Sequence, residues 1–417
     1  MNLLHISWKN LKDKPLTSFL SILLMSLGIA IISLLLLVGK QLEEKFTRNI
    51  QGIDMVLGAK GSPLQLILAA VYQIDSPTGN INMDEAMRFT RNPMVQSAIP
   101  LSMGDSYQGY RIIGTTPKYI EHFQGEFEQG KAFENALEIV VGAKAARNLG
   151  LKVGDSFASQ HGYDGEGDHH EESKFKVVGI LKQSNSVLDQ VLITPLESVW
   201  AVHEHHEAEE AGKGANALKL LTEDEHSEHG EEHHEETKEI TAMLVKFRNP
   251  AMGMMISRSI NENSTMQTAT PAIEMNRLFA LMGVGIDTLK LIALVIIIVS
   301  GISVFVSLYN SLKERKYEMA LMLSMGASRT KLFLLLLSEG LIISIIGYVV
   351  GVFLSRLGLG VMAQNVEQNF HYDFGVLSLL AEEVWLLAGA LVIGLLAAAI
   401  PSLGIYKIDI SRTLADD

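Results

Sequence analysis

Apolar residues along this chain follow two regimes. Four windows, at 17–38, 289–312, 332–354 and 384–403, run almost unbroken in Leu, Ile, Val, Ala and Met. Between the first and the second, short apolar runs alternate with polar ones for about 250 residues. A helix crosses a bilayer with about 20 apolar residues, so the pattern predicts transmembrane helices at 17–40, 289–312, 332–357 and 384–404. The first run is too long for a cleaved signal core, lacks a small-x-small cleavage site and reads as a retained anchor.

The mixed stretch 41–288 predicts a separate folded domain. Residues 41–50 continue the first span as a polar helix. Residues 54–63 read as a strand and turn, 83–92 as a short helix, and 99–114 as a strand with Tyr107, Tyr110, Ile112 and Ile113. Strands follow at 138–142, 156–158, 175–181, 191–193 and 241–247. A helix at 143–149 is closed by Gly150. Another starts with Thr194 as cap and Pro195 at its first position. Residues 272–288 form a helix leading back to the membrane. At the other extreme, 1–16 reads as an amphipathic lead-in, with Leu3, Leu4, Trp8 and Leu11 on the apolar side and Lys9, Lys12 and Lys14 opposite. The fold class is a membrane protein with four transmembrane α-helices and a large α+β extracytoplasmic domain inserted between helices 1 and 2.

Charge orients these elements. Lys9, Lys12 and Lys14 precede the first span, and Lys313, Arg315, Lys316, Arg329 and Lys331 occupy 313–331. The connection 358–383 and its borders carry Glu367, Asp373, Glu382 and Glu383 against Arg356. Basic loops stay cytoplasmic. The N-terminus, the 313–331 segment and the tail 405–417 are therefore predicted inside, and 41–288 outside, as in a bacterial inner-membrane protein with a large periplasmic domain. The chain has no cysteine, which excludes disulfides and thiolate chemistry.

The junction at 313–331 is the most informative. A charged, helix-favouring segment follows a span at once, Gly326 is placed to end it, and Ser328 is placed to cap the next span. Such a structured elbow lets a soluble motor push on a membrane subunit. In the third span, Gly347 and Gly351 sit four apart and offer a small-residue face for close helix packing. Glu339 is a mid-span carboxylate, read as bonding locally near the cytoplasmic end.

Three pieces together resemble the permeases of MacB-type ABC transporters, the superfamily that includes macrolide exporters, lipoprotein-release permeases and the FtsX division protein. They are Glu314-Arg315-Lys316-Tyr317-Glu318-Met319-Ala320-Leu321 with Met325-Gly326-Ala327-Ser328; the stretch from Glu138 through Asn148-Leu149-Gly150-Leu151-Lys152-Val153-Gly154-Asp155 to Leu181; and the tail Lys407-Ile408-Asp409-Ile410-Ser411-Arg412-Thr413-Leu414. The order of one span, a large external domain and three spans also matches. The resemblance implies a non-catalytic permease that moves or releases an envelope cargo (lipoprotein, lipid, peptide or small molecule) by mechanical work. Movement would pass through the helices at 40–50 and 272–290. Glu314, Arg315, Lys316, Glu318, Met325, Gly326 and Ala327 would couple it to a cytoplasmic ABC ATPase dimer holding ATP and Mg²⁺. A second permease copy or a paralogue, and a periplasmic or lipoprotein partner, are further implied; nucleic acid is not. No G-x-x-x-x-G-K-[ST] loop occurs in these residues: Gly39-Lys40, Gly130-Lys131 and Gly212-Lys213 lack its spacing and its Ser/Thr. The alternative is an FtsX-like signalling or scaffold subunit that controls a periplasmic partner. Metal uptake is disfavoured, because the spans lack a His/Asp/Glu path.

Acidity is local. Residues 161–239 hold 20 Asp/Glu against 6 Lys/Arg, while the whole chain is −13. Two low-complexity inserts, 161–173 and 203–239, carry ten of the 13 histidines. His169, His170, His203, His205, His206, His226, His229, His233 and His234 are candidate Zn²⁺ ligands, since neutral imidazole with carboxylates suits that ion. Their spacing fits a chelating loop rather than a fixed zinc site; the alternative is a solvated acidic linker. His161 belongs to the same run. His5, His122 and His371 are isolated and receive no role.

Overall fold

A computed structural model describes residues 3–13, 15–162, 169–202, 238–370 and 380–407. The chain divides into two compact units, Met1–Glu43 with Ala280–Asp417, and Glu44–Phe279.

Within Glu44–Phe279, one sheet carries the fold. Strands β1 (Met55–Ala59), β11 (Ala242–Phe247), β12 (Met266–Ala269) and the first half of β3 (Val95–Tyr107) pair antiparallel in the order β12-β1-β11-β3. The second half of β3 joins a ring with β4 (Tyr110–Thr115), β9 (Val191–Pro195), β6 (Glu138–Val141), β8 (His169–Leu181) and β7 (Ser156–His161). The ring closes because β7 pairs with both β8 and β3. Closure removes the exposed edges of a sheet. Strand β5 (Phe127–Gly130) adds to β8, and β2 (Ile81–Asn82) pairs with β10 (Glu239–Ile240) in a separate two-stranded ribbon.

Strand alternation explains the two cores. Ile112, Val141 and Leu192 join Ile139, Phe157, Phe175 and Val177 in one buried cluster. Their neighbours Ile113, Val140 and Ile193 point the other way and pack with Ile67, Tyr72, Tyr119 and Leu188.

Three local expectations change, and that for 54–63 is extended by a helix. The single strand at 99–114 is a hairpin: Gln108 (φ 48°) and Gly109 (φ 82°) turn the chain left-handed between β3 and β4. Thr194 and Pro195 end strand β9, and the helix occupies 196–202. The Thr194 hydroxyl bonds the Glu138 carbonyl and Ser198 instead of capping. The segment 54–63 is a strand followed by a helix at Pro63–Ala70, capped by Ser62. The two ends of the first insert are strand: β7 reaches His161, β8 starts at His169, and Gln160 faces His169 across the ladder, while 163–168 lie outside the described residues.

The other unit is helical. Its four membrane-length helices are Pro15–Ile50, Pro271–Glu314, Arg329–Ala363 and Glu382–Tyr406. The first two run on past the unit boundary, and each exceeds the roughly 20 residues that a bilayer needs. Arg329–Phe370 is one helix, so Arg356 belongs to the span and not to the following loop.

Small residues bring these helices together. A Cβ at Gly347 would meet Met25 at 2.7 Å, and one at Gly351 would meet the Ser26 carbonyl at 2.8 Å. The third span therefore lies directly against the first through this pair. Gly28 meets Ile297 and Ala293 in the same way, and Gly340 meets Ala398 and Gly394.

Candidate functional site

The elbow is built from a broken helix. The long helix ends at Glu314, Arg315 leaves helical geometry (φ −101°, ψ 17°), and a new helix runs Lys316–Ser324. Arg315 Nε donates to Glu318 Oε2 at 3.0 Å, fixing the start of the new helix. At its end Gly326 turns left-handed (φ 94°), Ala327 N–H reaches the Met322 carbonyl and Gly326 N–H the Leu323 carbonyl. That double closure satisfies the last carbonyls and tolerates few residues other than glycine. Lys331 N–H then bonds Ser328 Oγ as the third span begins at Arg329.

One side of this short helix is held inside. Met319 and Ala320 are buried against Leu332, Leu336 and Ile405, and Arg329 bonds the Tyr406 carbonyl. The other side is open. Tyr317 (43% exposed), Leu321 (44%) and Met325 (72%) recur every four residues and form an apolar stripe. Lys316 and Glu318 are exposed beside it, and Glu314 is exposed at the end of the preceding helix. A cavity of about 310 Å³ adjoins the stripe, lined by Met322, Met325, Gly326, Ala327, Lys331 and Leu332. The structure places Glu314, Arg315, Lys316 and Glu318 around the start of the short helix and Met325, Gly326 and Ala327 at its end. Tyr317 and Leu321, absent from the sequence-derived set, carry much of its apolar area. Their four-residue spacing ahead of Met325 was the available signal.

Two polar clusters lie inside the helical unit. In the first, the N-terminal helix Leu3–Asp13 presents Ser7 and Asn10, not Trp8, to the third span. Asn10 Nδ2 donates to Glu339 Oε1 at 2.5 Å, and Ser7 Oγ pairs with Ser338 Oγ at 2.5 Å. Trp8 is outward, with Lys12 Nζ 5.5 Å from its ring, and the buried Glu339 carboxylate takes its donor from Asn10. The second cluster joins the first, third and fourth spans. Arg356 Nη2 donates to Glu383 Oε2 at 2.8 Å, Ser33 Oγ donates to Glu383 Oε1 at 2.6 Å, and Ser33 and Ser355 hydroxyls meet at 2.9 Å. Both charged side chains are nearly buried. Charge in an apolar region persists when it is paired and hydrogen-bonded.

The histidine candidates are not brought together in the described structure. His169 and His170 lie on strand β8. His203, His205, His206, His226, His229, His233 and His234 lie outside the described residues. Among the described residues no group of three or more His, Asp or Glu is arranged to hold a metal ion. His161 instead meets Asp105 at 3.3 Å where the ring of strands closes.

Comparison with known proteins fits this division. Residues 18–244 match the MacB-like periplasmic core domain, and residues 290–410 match the FtsX-like permease C-terminal region. A macrolide export ATP-binding/permease protein, MacB 1/2 of Paracoccus denitrificans (strain Pd 1222), is 31% identical over 123 residues. That match covers 30% of this chain and 18% of the relative, so the chain spans under a fifth of that protein's length. The periplasmic region of MacB from Actinobacillus actinomycetemcomitans aligns over 56% of this chain and 97% of that structure, at 12% identity and a TM-score of 0.33. The extracellular domain of the noncanonic ABC-type transporter YknZ from Gram-positive bacteria aligns over 52% and 99%, at 12% identity and a TM-score of 0.29.

Proposed function

The chain belongs to the MacB-type ABC transporter permeases, as a multi-pass inner-membrane protein with a large periplasmic domain, and from that premise we propose that a separate cytoplasmic ATPase drives it through the 313–331 elbow. The observation that carries this reading is the stripe Tyr317–Leu321–Met325. It is apolar and exposed, on a helix whose opposite side is anchored to the third span. An exposed apolar stripe beside charged residues is suited to a protein partner. Glu314, Arg315, Lys316 and Glu318 supply the charged rim, and Gly326 and Ala327 fix the turn that returns the push to the span.

ATP and Mg²⁺ would be held by the partner, since these residues contain no phosphate-binding loop. The helices Pro15–Ile50 and Pro271–Glu314 are each unbroken, which supports transmission of movement along them. The work done is export or release of an envelope cargo: a lipoprotein, lipid, peptide or small molecule. The working assembly would pair this chain with a second permease, a copy or a paralogue, and would present a periplasmic or lipoprotein partner with its external domain.

Zinc capture by the His-rich inserts is a further part of this reading, supported by ligand density alone. Calorimetry with Zn²⁺ on the full chain, with and without 161–173 and 203–239, tests it; no micromolar binding, or binding that survives loss of both inserts, would refute it.

The driven-permease reading is tested by copurification. An ATPase that hydrolyses ATP should comigrate with the full chain in detergent, and Leu321→Asp should lower the comigrating activity at least tenfold. Unchanged activity in the variant would refute the docking role.

A further inference from the structure

The external unit contains a cleft of about 330 Å³ that the transport reading leaves unused, lined by Arg48, Gln51, His122, Gln124, Ser184 and Ser186. Three separate segments build it: the end of the helix Pro15–Ile50, the turn after the helix Lys118–His122, and the loop that precedes Val187. Each turns through the left-handed backbone region, at Gly52 (φ 80°), Gln124 (φ 55°) and Asn185 (φ 54°). Such conformations at Gln and Asn persist where the surroundings impose them, and they cluster at functional sites.

Among the lining residues only Arg48 carries a permanent charge. Arg48 Nη1 donates to the Ser184 carbonyl at 3.3 Å, which engages one of its five N–H donors. Lys246 lies beside it: a Cβ at Gly52 would be 3.1 Å from His122 Cε1 and 3.8 Å from Lys246 Nζ. Two carboxylates from these segments are occupied: Asp189 accepts from Ser184 N, Asn185 N and Ser184 Oγ, and Asp54 accepts from Phe247 N. Glu121 is on the same short helix as His122 and is exposed.

His122 is the unusual member. Its Nε2 is shielded from solvent and has no hydrogen-bond partner among the described residues. Burial and the neighbouring Lys246 ammonium hold the imidazole below its ordinary pKa, against an opposing pull from the Gln51 backbone. A neutral ring offers Nε2 as an acceptor. The cleft therefore combines the Arg48 guanidinium, hydroxyl and amide donors, and an acceptor that lacks a donor, with the Lys246 ammonium close to His122. A plain carboxylate ligand would satisfy the cations and leave Nε2 unpaired. A phosphate that carries an O–H or N–H donor satisfies both.

We propose that this cleft binds a phosphate group bearing its own hydrogen-bond donor, with Arg48 and Lys246 neutralising the charge and His122 Nε2 receiving the donor. A free phosphate and a lipid headgroup of phosphatidylethanolamine or phosphatidylglycerol type share this chemistry.

The test uses the full chain in phosphatidylcholine nanodiscs without ATP, so its outcome is independent of the ATPase reading. Inorganic phosphate is titrated by calorimetry. In parallel, discs containing phosphatidylethanolamine or phosphatidylglycerol are scored for retained lipid by native mass spectrometry. Saturable binding in either arm, weakened at least tenfold by Arg48→Gln and by Lys246→Gln and unchanged by Arg258→Gln, supports the site and identifies the source. His122→Phe should weaken binding as well, and it leaves the Arg48–Ser184 contact in place. No binding in either arm, or equal binding by all variants, overturns the proposal.

Discussion

At one end of the helical unit a buried carboxylate, Glu339, meets the neutral amide of Asn10. At the other, 17 residues along the same helix and about 25 Å away, Arg356 meets Glu383 as a charged pair held further by Ser33. The first arrangement ties down a helix from outside the bundle, the N-terminal Leu3–Asp13, with polar contacts and little charge. The second locks three spans to one another through full charges in a shielded place. The first end also carries the exposed apolar stripe of the elbow, Tyr317, Leu321 and Met325. The contrast teaches where movement is accommodated: the elbow end keeps a free surface for a partner, and the opposite end has its buried charges satisfied internally.

The largest expected effect tests the locked end. Glu383→Ala strands the Arg356 guanidinium and should cost about 3–5 kcal/mol. The pair Arg356→Met with Glu383→Leu should restore most of that. Thermal unfolding of the full chain in nanodiscs measures both, and a cost below about 1 kcal/mol for the single change would erase the contrast. Next comes the packing that sets the spans side by side. Gly351→Leu drives a side chain into Ser26 and Ile29 and should destabilise by about 1–3 kcal/mol, whereas Gly360→Leu, with nothing nearby, should cost far less in the same assay.

At the tethered end, Asn10→Ala should cost about 1–2 kcal/mol. It should also raise protease cleavage within residues 3–13, which Glu383→Ala should not do at matched stability. Acid gives the mildest probe and isolates the external domain from both ends. His122 is held below its ordinary pKa of 6.5 in the folded state, so the unfolded chain binds more protons just below that value. Its contribution is complete above about pH 6.5 and is lost as pH falls toward the folded value. His122→Gln should flatten that part of the stability profile, measured by denaturant midpoints between pH 7 and 5.

Much of this architecture was legible along the chain, for identifiable reasons. The spans announce themselves by length and hydropathy, and Gly326 by its place after a helix-favouring run. Gly347 and Gly351 announce a packing face by their spacing, although not that Met25 and Ser26 lie opposite. The ion pair was hidden because hydropathy windows stop at charges. Arg356 and Glu383 therefore read as residues at the borders of the 358–383 connection, and their partnership depends on two helices meeting. The role of Asn10 was hidden because an amphipathic pattern buries Trp and Leu against lipid as well as against protein. At Gln108–Gly109 the hairpin lacked the Asn or Asp that usually signals such a turn.

The central claim, that an ATPase acts on the elbow, is most directly tested by crosslinking from position 321. The chain has no cysteine, so Leu321→Cys creates a unique handle for a photoreactive maleimide probe. The account predicts that illumination of the full chain in its native membrane captures a protein with a G-x-x-x-x-G-K-[ST] loop. The same probe on Val361→Cys, an exposed position far along the third span, should not capture it. Capture of no ATP-binding chain from position 321, or equal capture from both positions, would contradict the account.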